Sequence, residues 1–176
     1  MGETNMKIRL LKWSIILAVV FGAVWTFQYV SNEGKFTKRS HTTVDIETLQ
    51  KEKAVYIGYD LKWEGLGAPV LQKAELIKTD NTIVAKDDKQ ILIRLFINKT
   101  NFGAVSEEEV IKEGLYDNLL PVRGYKADGD FSLVLRVELV DKDWNQDIKS
   151  VKITYKKFGI THVQNISFSD GIITNK

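Results

Sequence analysis

The sequence predicts a mainly β fold: an antiparallel β-sandwich with one short crossover helix, behind a single apolar helix at the N-terminal end. Three observations carry this reading. Several short segments alternate apolar and polar side chains, the period of a strand with one face on a core. Only one segment after the first apolar run has a strong helix-start signal. Finally, Trp13 to Asn32, WSIILAVVFGAVWTFQYVSN, runs for 20 residues without a charge.

About 20 apolar residues form a helix that spans the roughly 30 Å hydrocarbon layer of a bilayer. Trp13 lies at one end of the run, and Trp25 and Tyr29 near the other, where amphipathic rings favour the membrane interface. A cleaved signal peptide would need small residues at the −3 and −1 positions after the run, and Thr26 to Asn32 offers no such pair. A buried core helix is disfavoured because the run is apolar on every face. The expected reading is a retained single-pass anchor at residues 13–32, entering the lipid bilayer, behind a tail of residues 1–12. Lys7, Arg9 and Lys12 precede the run and Lys35, Lys38 and Arg39 follow it, so the positive-inside bias nearly cancels. The short, tightly placed basic tail favours the N-terminus inside, which puts the rest of the chain outside the cytoplasm; the opposite orientation would put it inside.

Residues 33–53 are polar and basic and read as a tether, with a short helix expected within Asp45 to Lys53. The β pattern begins at Ala54, so the sandwich is expected over 54–176. Ala54–Leu61, Val70–Lys78, Thr82–Lys86 and Ile91–Asn98 are its early strands. Phe131–Val140 places Phe131, Leu133, Leu135, Val137 and Leu139 on one face, and Val151–Tyr155 and Ile160–Phe168 alternate in the same way. Ser106-Glu107-Glu108-Glu109 is a capping box, in which Ser106 and Glu109 satisfy each other's backbone N–H. Gly114 suits the position after the helix end, and Pro121 stops any continuation. This pattern resembles the immunoglobulin-like extracytoplasmic domains behind single-pass anchors in Bacillus-type proteins. The resemblance runs from Trp63 to Phe168 and rests on Trp63-Glu64-Gly65-Leu66-Gly67-Ala68-Pro69 before a strand, a strand ending in Asn98-Lys99-Thr100, and two closing alternating strands. It implies an architecture and transfers no functional residue.

Of 176 residues, 25 are basic and 23 acidic. Setting aside Glu3, Lys7, Arg9 and Lys12 leaves 22 of each sign, so the soluble part is formally neutral. Nucleic-acid binding needs clustered lysine and arginine, and no nucleic-acid partner is expected. The absence of cysteine removes disulfides, thiolate metal sites and thiol nucleophiles. A cysteine-free domain outside the cytoplasm suits a bacterium, by composition a Gram-positive one.

Candidate chemistry is sparse. Asp141-Lys142-Asp143-Trp144-Asn145-Gln146-Asp147 sets oxygen side chains at alternate positions, as a calcium loop does. Asp141, Asp143, Asn145 and Asp147 are therefore the candidate cation ligands. The match to an EF-hand loop ends there: Gln146 stands where a glycine makes the turn and Lys152 where the bidentate glutamate belongs. A solvated hairpin loop is the plainer account, and no cofactor is expected beyond that calcium possibility. Trp63 and Trp144 are candidate partner-binding side chains if exposed; the plainer account of Trp144 is that it plugs the end of the sandwich. His41, in the tether, and His162, on a strand, are the two histidines. No nucleophile elbow, phosphate loop or dinucleotide fingerprint is present. The expected function is a non-catalytic, membrane-anchored binding or assembly domain whose partner is another envelope protein or a cell-wall polymer. The alternative is an envelope hydrolase using a Ser/His pair around His162, or carboxylates among Glu64, Glu75, Asp128 and Asp130.

Overall fold

The computed structural model describes residues 2–142, 144 and 146–174, with side chains for residue 6 and from 9 onward. The chain separates into two compact units, Met1–Glu33 and Gly34–Lys176. The first is one helix, α1 (Gly2–Asn32). Its stretch Arg9–Asn32, 24 residues, is long and apolar enough to cross a membrane. Large side chains stand out on every face of it, including Trp13, Phe21 and Trp25. At about 1.5 Å per residue such a stretch extends roughly 36 Å.

The second unit is built, in chain order, from β1 (Lys35–His41), β2 (Val44–Asp45), α2 (Ile46–Lys51), β3 (Val55–Glu64), β4 (Val70–Lys78), β5 (Ile91–Asn98), β6 (Ala104–Ser106), α3 (Glu107–Lys112), a 3-10 turn (Leu115–Asn118), β7 (Leu120–Pro121), β8 (Asp130–Leu139), β9 (Ile148–Lys157), β10 (Ile160–Ser167) and β11 (Ile173–Thr174). The larger sheet runs β1-β3-β8-β5-β7, and β6 pairs with β3 beyond the end of β1. The smaller sheet runs β10-β9-β4. All pairings in both are antiparallel. A short parallel pair, β2 with β11, joins an early and a late part of the chain. The fold is thus mainly β with antiparallel sheets, and the two sheets share one core. Ile57, Tyr59 and Leu61 of β3 and Leu133 and Leu135 of β8 meet Leu71 and Leu76 of β4 and Val151 and Ile153 of β9.

Residues 33–53 are not a tether: from Gly34 onward they belong to the domain. β1 is a strand on β3, with a bulge between Lys38 and Ser40. Its sequence, KFTKRSH, hides this because a single apolar side chain holds it. Phe36 packs its ring against Trp63, Tyr155 and Phe131 at centroid distances of 5.0, 5.1 and 6.0 Å. The partner strand supplies the hydrogen bonds, so an edge strand needs little hydrophobic pattern of its own. The short helix falls where expected, at α2. The compact unit therefore begins at 34 and not at 54.

The second departure concerns β8. Its alternating residues Phe131, Leu133, Leu135 and Val137 face the main core as predicted, but its other face is also covered: Ser132, Val134 and Arg136 are buried. The crossover between β5 and β7 lies over them. Phe102 and Val110 join Tyr56 and Val134 in a second apolar cluster on this outer face. The predicted capping box forms, with Ser106 and Glu109 exchanging both bonds at 3.3 Å. Gly114 takes the left-handed conformation at φ 64°.

Two contacts fix this cover. Gly58 donates its N–H to Gly103 at 3.0 Å, and a Cβ there would lie 1.7 Å from the Phe102 carbonyl oxygen. Arg136 donates from Nε and Nη2 to Glu107 Oε1 at 2.8 and 2.6 Å, and from Nη1 to Glu138 at 2.8 Å. Burial of Glu107 opposes its charge, but the hydrogen bond and charge of Arg136, with Lys53 behind them, outweigh burial and hold the carboxyl below the ordinary glutamate range.

Gly58→Ala is expected to lift the crossover from the sheet and lower stability by about 3 kcal/mol, the upper range for overpacking, as read by urea denaturation. Because the folded pKa of Glu107 is depressed, its contribution is present above the ordinary glutamate range and is lost as pH falls through the depressed value. Urea midpoints measured across acid pH are expected to drop in that window, and less steeply in Glu107→Gln.

Candidate functional site

β8 and β9 run antiparallel to their neighbours and set all their connections at two ends of the domain. The loop after β8, which carries the candidate cation ligands, lies at the end that also holds β2, α2 and β11. Asp143 and Asn145 lie outside the described residues. Asp147 is engaged elsewhere: its Oδ1 accepts the N–H of Ile148 at 2.6 Å and of Ile172 at 3.0 Å, and its Oδ2 accepts that of Ile173 at 3.4 Å. Burial pushes its carboxyl up despite these bonds. Gly171, at φ 70°, presses so close that a Cβ would lie 1.7 Å from Oδ2. This carboxylate braces the segment that leads into β11. The backbone N–H of Asp141 donates to the Gln90 carbonyl at 3.0 Å. Among the described residues, no three histidine or acidic side chains gather as a metal would require.

Neither candidate tryptophan presents its ring to solvent. Trp144 is 5% exposed and belongs to the main core, plugging this end of it. Trp63 is 6% exposed and donates its indole N–H to the Gly67 carbonyl at 2.7 Å. That bond folds the Gly65–Pro69 loop back on the ring. Alternation along β3 places Trp63, and the fold-back of the β8–β9 loop places Trp144, among apolar partners that their charged and glycine-rich sequence neighbours do not reveal.

Of the groups named for a hydrolase, Glu75 is on the other sheet from Asp130, whereas Glu64 at the end of β3 lies beside the Asp128–Asp130 turn, with the Trp63 N–H donating to the Gly129 carbonyl at 3.5 Å. His162 stacks on Tyr155 at 5.3 Å and 22°. His41 sits 3.7 Å from Asp170; burial and then Lys38 push its pKa down, against Asp170. Glu75, on the smaller sheet, pairs with Lys73 at 2.6 Å and Lys152 at 3.9 Å. Asp130, on the larger sheet, pairs with Arg39 at 3.7 Å. Two serines do converge, Ser40 and Ser132, and both hydroxyls donate to the carboxylate of Asp60. That cluster was not legible in sequence, since its three members come from three strands. It contains no histidine, and its bonds tie β1, β3 and β8 together across the sheet. Lys78 and Asp88 form another buried pair at 2.6 Å, where Asp88 also accepts from Gln90 and Ile91 and so closes the loop between β4 and β5.

Among the concave surfaces of the domain, two are of similar size. One, of about 590 Å³, lies between β4 and β5; Ala74, Leu76, Val84, Ile93 and Leu95 line it, with Lys73, Glu75, Lys86 and Arg94 around them. The other, also about 590 Å³, is a polar hollow in the crossover, lined by Asn98, Asn101, Phe102, Asp117 and Asn118 among others. No protein-family model matches the chain, and no curated protein or solved structure matches it.

Asp147→Ala is expected to leave three backbone N–H groups without their acceptor and cost about 2 kcal/mol or more. Hydrogen exchange at the Ile172 and Ile173 amides is the direct measurement; protection equal to wild type would show that the brace is not needed.

Proposed function

We propose that this chain is a single-pass, membrane-anchored protein whose β domain binds or assembles with another component of the cell envelope, outside the cytoplasm and without catalysis. One observation carries the proposal: a helix apolar on every face ends at Asn32, and a compact β domain begins at Gly34. A helix with no polar face needs an apolar surround. Several buried or partly buried ionisable groups of the domain support the non-catalytic part of the reading. Glu107, Arg136, Lys78, Asp88 and Asp147 are each held in pairs or braces that position backbone.

An immunoglobulin-like sandwich is the architecture we favour for the domain, with its two sheets stitched together along both sides. On one side the Gln164 amide accepts the Phe36 N–H at 2.8 Å and donates to the Phe36 carbonyl at 2.7 Å, taking the place of a strand pair. On the other, Leu71 exchanges bonds with Tyr125 and Gly124 at 2.8 Å. Farther along β4 from the Leu71 stitch, the cleft of β4 and β5 stays open. Its apolar floor and mainly basic rim suit an extended segment of an envelope protein, or a cell-wall polymer bearing negative charge.

Protease added to intact cells tests the topology. Under this reading it removes the domain and leaves the helix, whereas full protection until the membrane is permeabilised would place the domain inside and exclude the proposed partners.

A further inference from the structure

The end of the domain where the chain enters carries two large apolar side chains in solvent. Leu66 is 58% exposed at the tip of the Gly65–Pro69 loop, and Phe158 is 50% exposed in the turn between β9 and β10. They belong to one contiguous surface. A Cβ on Gly34 would lie 2.4 Å from the Trp63 ring and 3.0 Å from the Gly65 Cα, so the first residue of the domain is seated on the loop that carries Leu66. A Cβ on Gly67 would lie 2.7 Å from the Phe158 ring, so that ring rests on the same loop. The Lys157 ammonium sits 5.3 Å from the Trp63 ring and 5.5 Å from that of Phe158, holding the two together.

Phe158 is also the wrong residue for its turn. Phe158 and Gly159 form a two-residue hairpin connection with φ of 47° and 86°. Such turns favour asparagine or aspartate followed by glycine, because a positive φ crowds a side chain such as phenylalanine. A strained, bulky, half-exposed ring at a turn tip is unfavourable in water and serves no core. A backbone outlier of this kind points to a use outside the fold.

We propose that Leu66 and Phe158 insert into the interfacial layer of the membrane that holds α1, so that the domain rests on the lipid surface. This rests on the membrane-anchor reading of α1. The occupant follows from the covalent chain: Gly34 is two residues from Asn32, so at about 3.8 Å per residue the surface bearing both tips begins within roughly 8 Å of the end of the apolar helix. Leucine and phenylalanine side chains gain from entering the boundary between headgroups and acyl chains.

The chain has no cysteine, so single cysteines can be labelled without background. The full chain is placed in phosphatidylcholine nanodiscs containing a nitroxide-bearing phosphatidylcholine, with an environment-sensitive fluorophore at Leu66→Cys, Phe158→Cys, Val20→Cys in α1, or Val140→Cys at the opposite end of β8. Labels at 66 and 158 are expected to emit to the blue of the label at 140 and to be quenched by the nitroxide lipid, as the label at 20 is. Labels at 66 and 158 that behave like the one at 140, while the label at 20 is quenched, overturn the proposal and leave the anchor standing. A label at 20 that also escapes quenching removes the anchor reading and the proposal with it. Phe158→Asn, which relieves the turn, is expected to keep or raise Tm while weakening quenching at 66. A lower Tm with unchanged quenching would assign Phe158 to the fold and overturn its part in lipid contact.

Discussion

The domain depends on β8 being buried on both faces. A central strand with apolar residues on one face needs only one partner layer. A strand that also turns Ser132, Val134 and Arg136 inward on the other face needs a second. The crossover between β5 and β7 supplies it, which explains why this segment carries a helix, a 3-10 turn and a buried ion pair where a short hairpin would have sufficed. Arg136 is then less a source of stability than a locator. A buried pair costs about as much in desolvation as it returns, but it admits only one seating of α3 on the sheet.

The same economy governs the sides of the domain. Neither edge of the stack is closed by regular strand pairing between the two sheets. On the β1 side one carboxamide takes the role of a residue pair. On the β4 side the irregular run after β7 is bonded to Leu71, and a bridge between Val70 and Lys126 follows. Such local closure protects most of the exposed strand edges, which are otherwise templates for unwanted pairing. The stretch of β4 left open coincides with the concave surface that has an apolar floor.

The strands with strong alternation were legible in the sequence to within a few residues, as were the capped helix and the apolar helix. They announce themselves through local patterns: period two, a serine-to-glutamate spacing, an uncharged run. What escaped was whatever depended on a distant partner. β1 is polar by sequence and ordered by Phe36 and β3. Asp147 resembles a cation ligand by spacing and is occupied by amides 25 and 26 residues later. The serines around Asp60 carry no signal, because no local pattern encodes the meeting of three strands. Trp63 and Trp144 lie in loop-like sequence, where exposure is the default expectation, and are drawn inward by cores that form elsewhere.

The joining of early and late segments has a consequence for how the domain comes into being. β1 is completed by Gln164, and β2 by Ile173, each about 130 residues further along the chain. Contacts of such sequence separation form late and slow folding. β1 meets β3 soon after both leave the ribosome, but its closure by Gln164 and the strand partner of β2 must wait for nearly the whole polypeptide. Until then the start of the domain is held by the β1–β3 pairing alone, and Phe36 lacks the Tyr155 ring of β9. Assembly is thus timed by the arrival of the last strands.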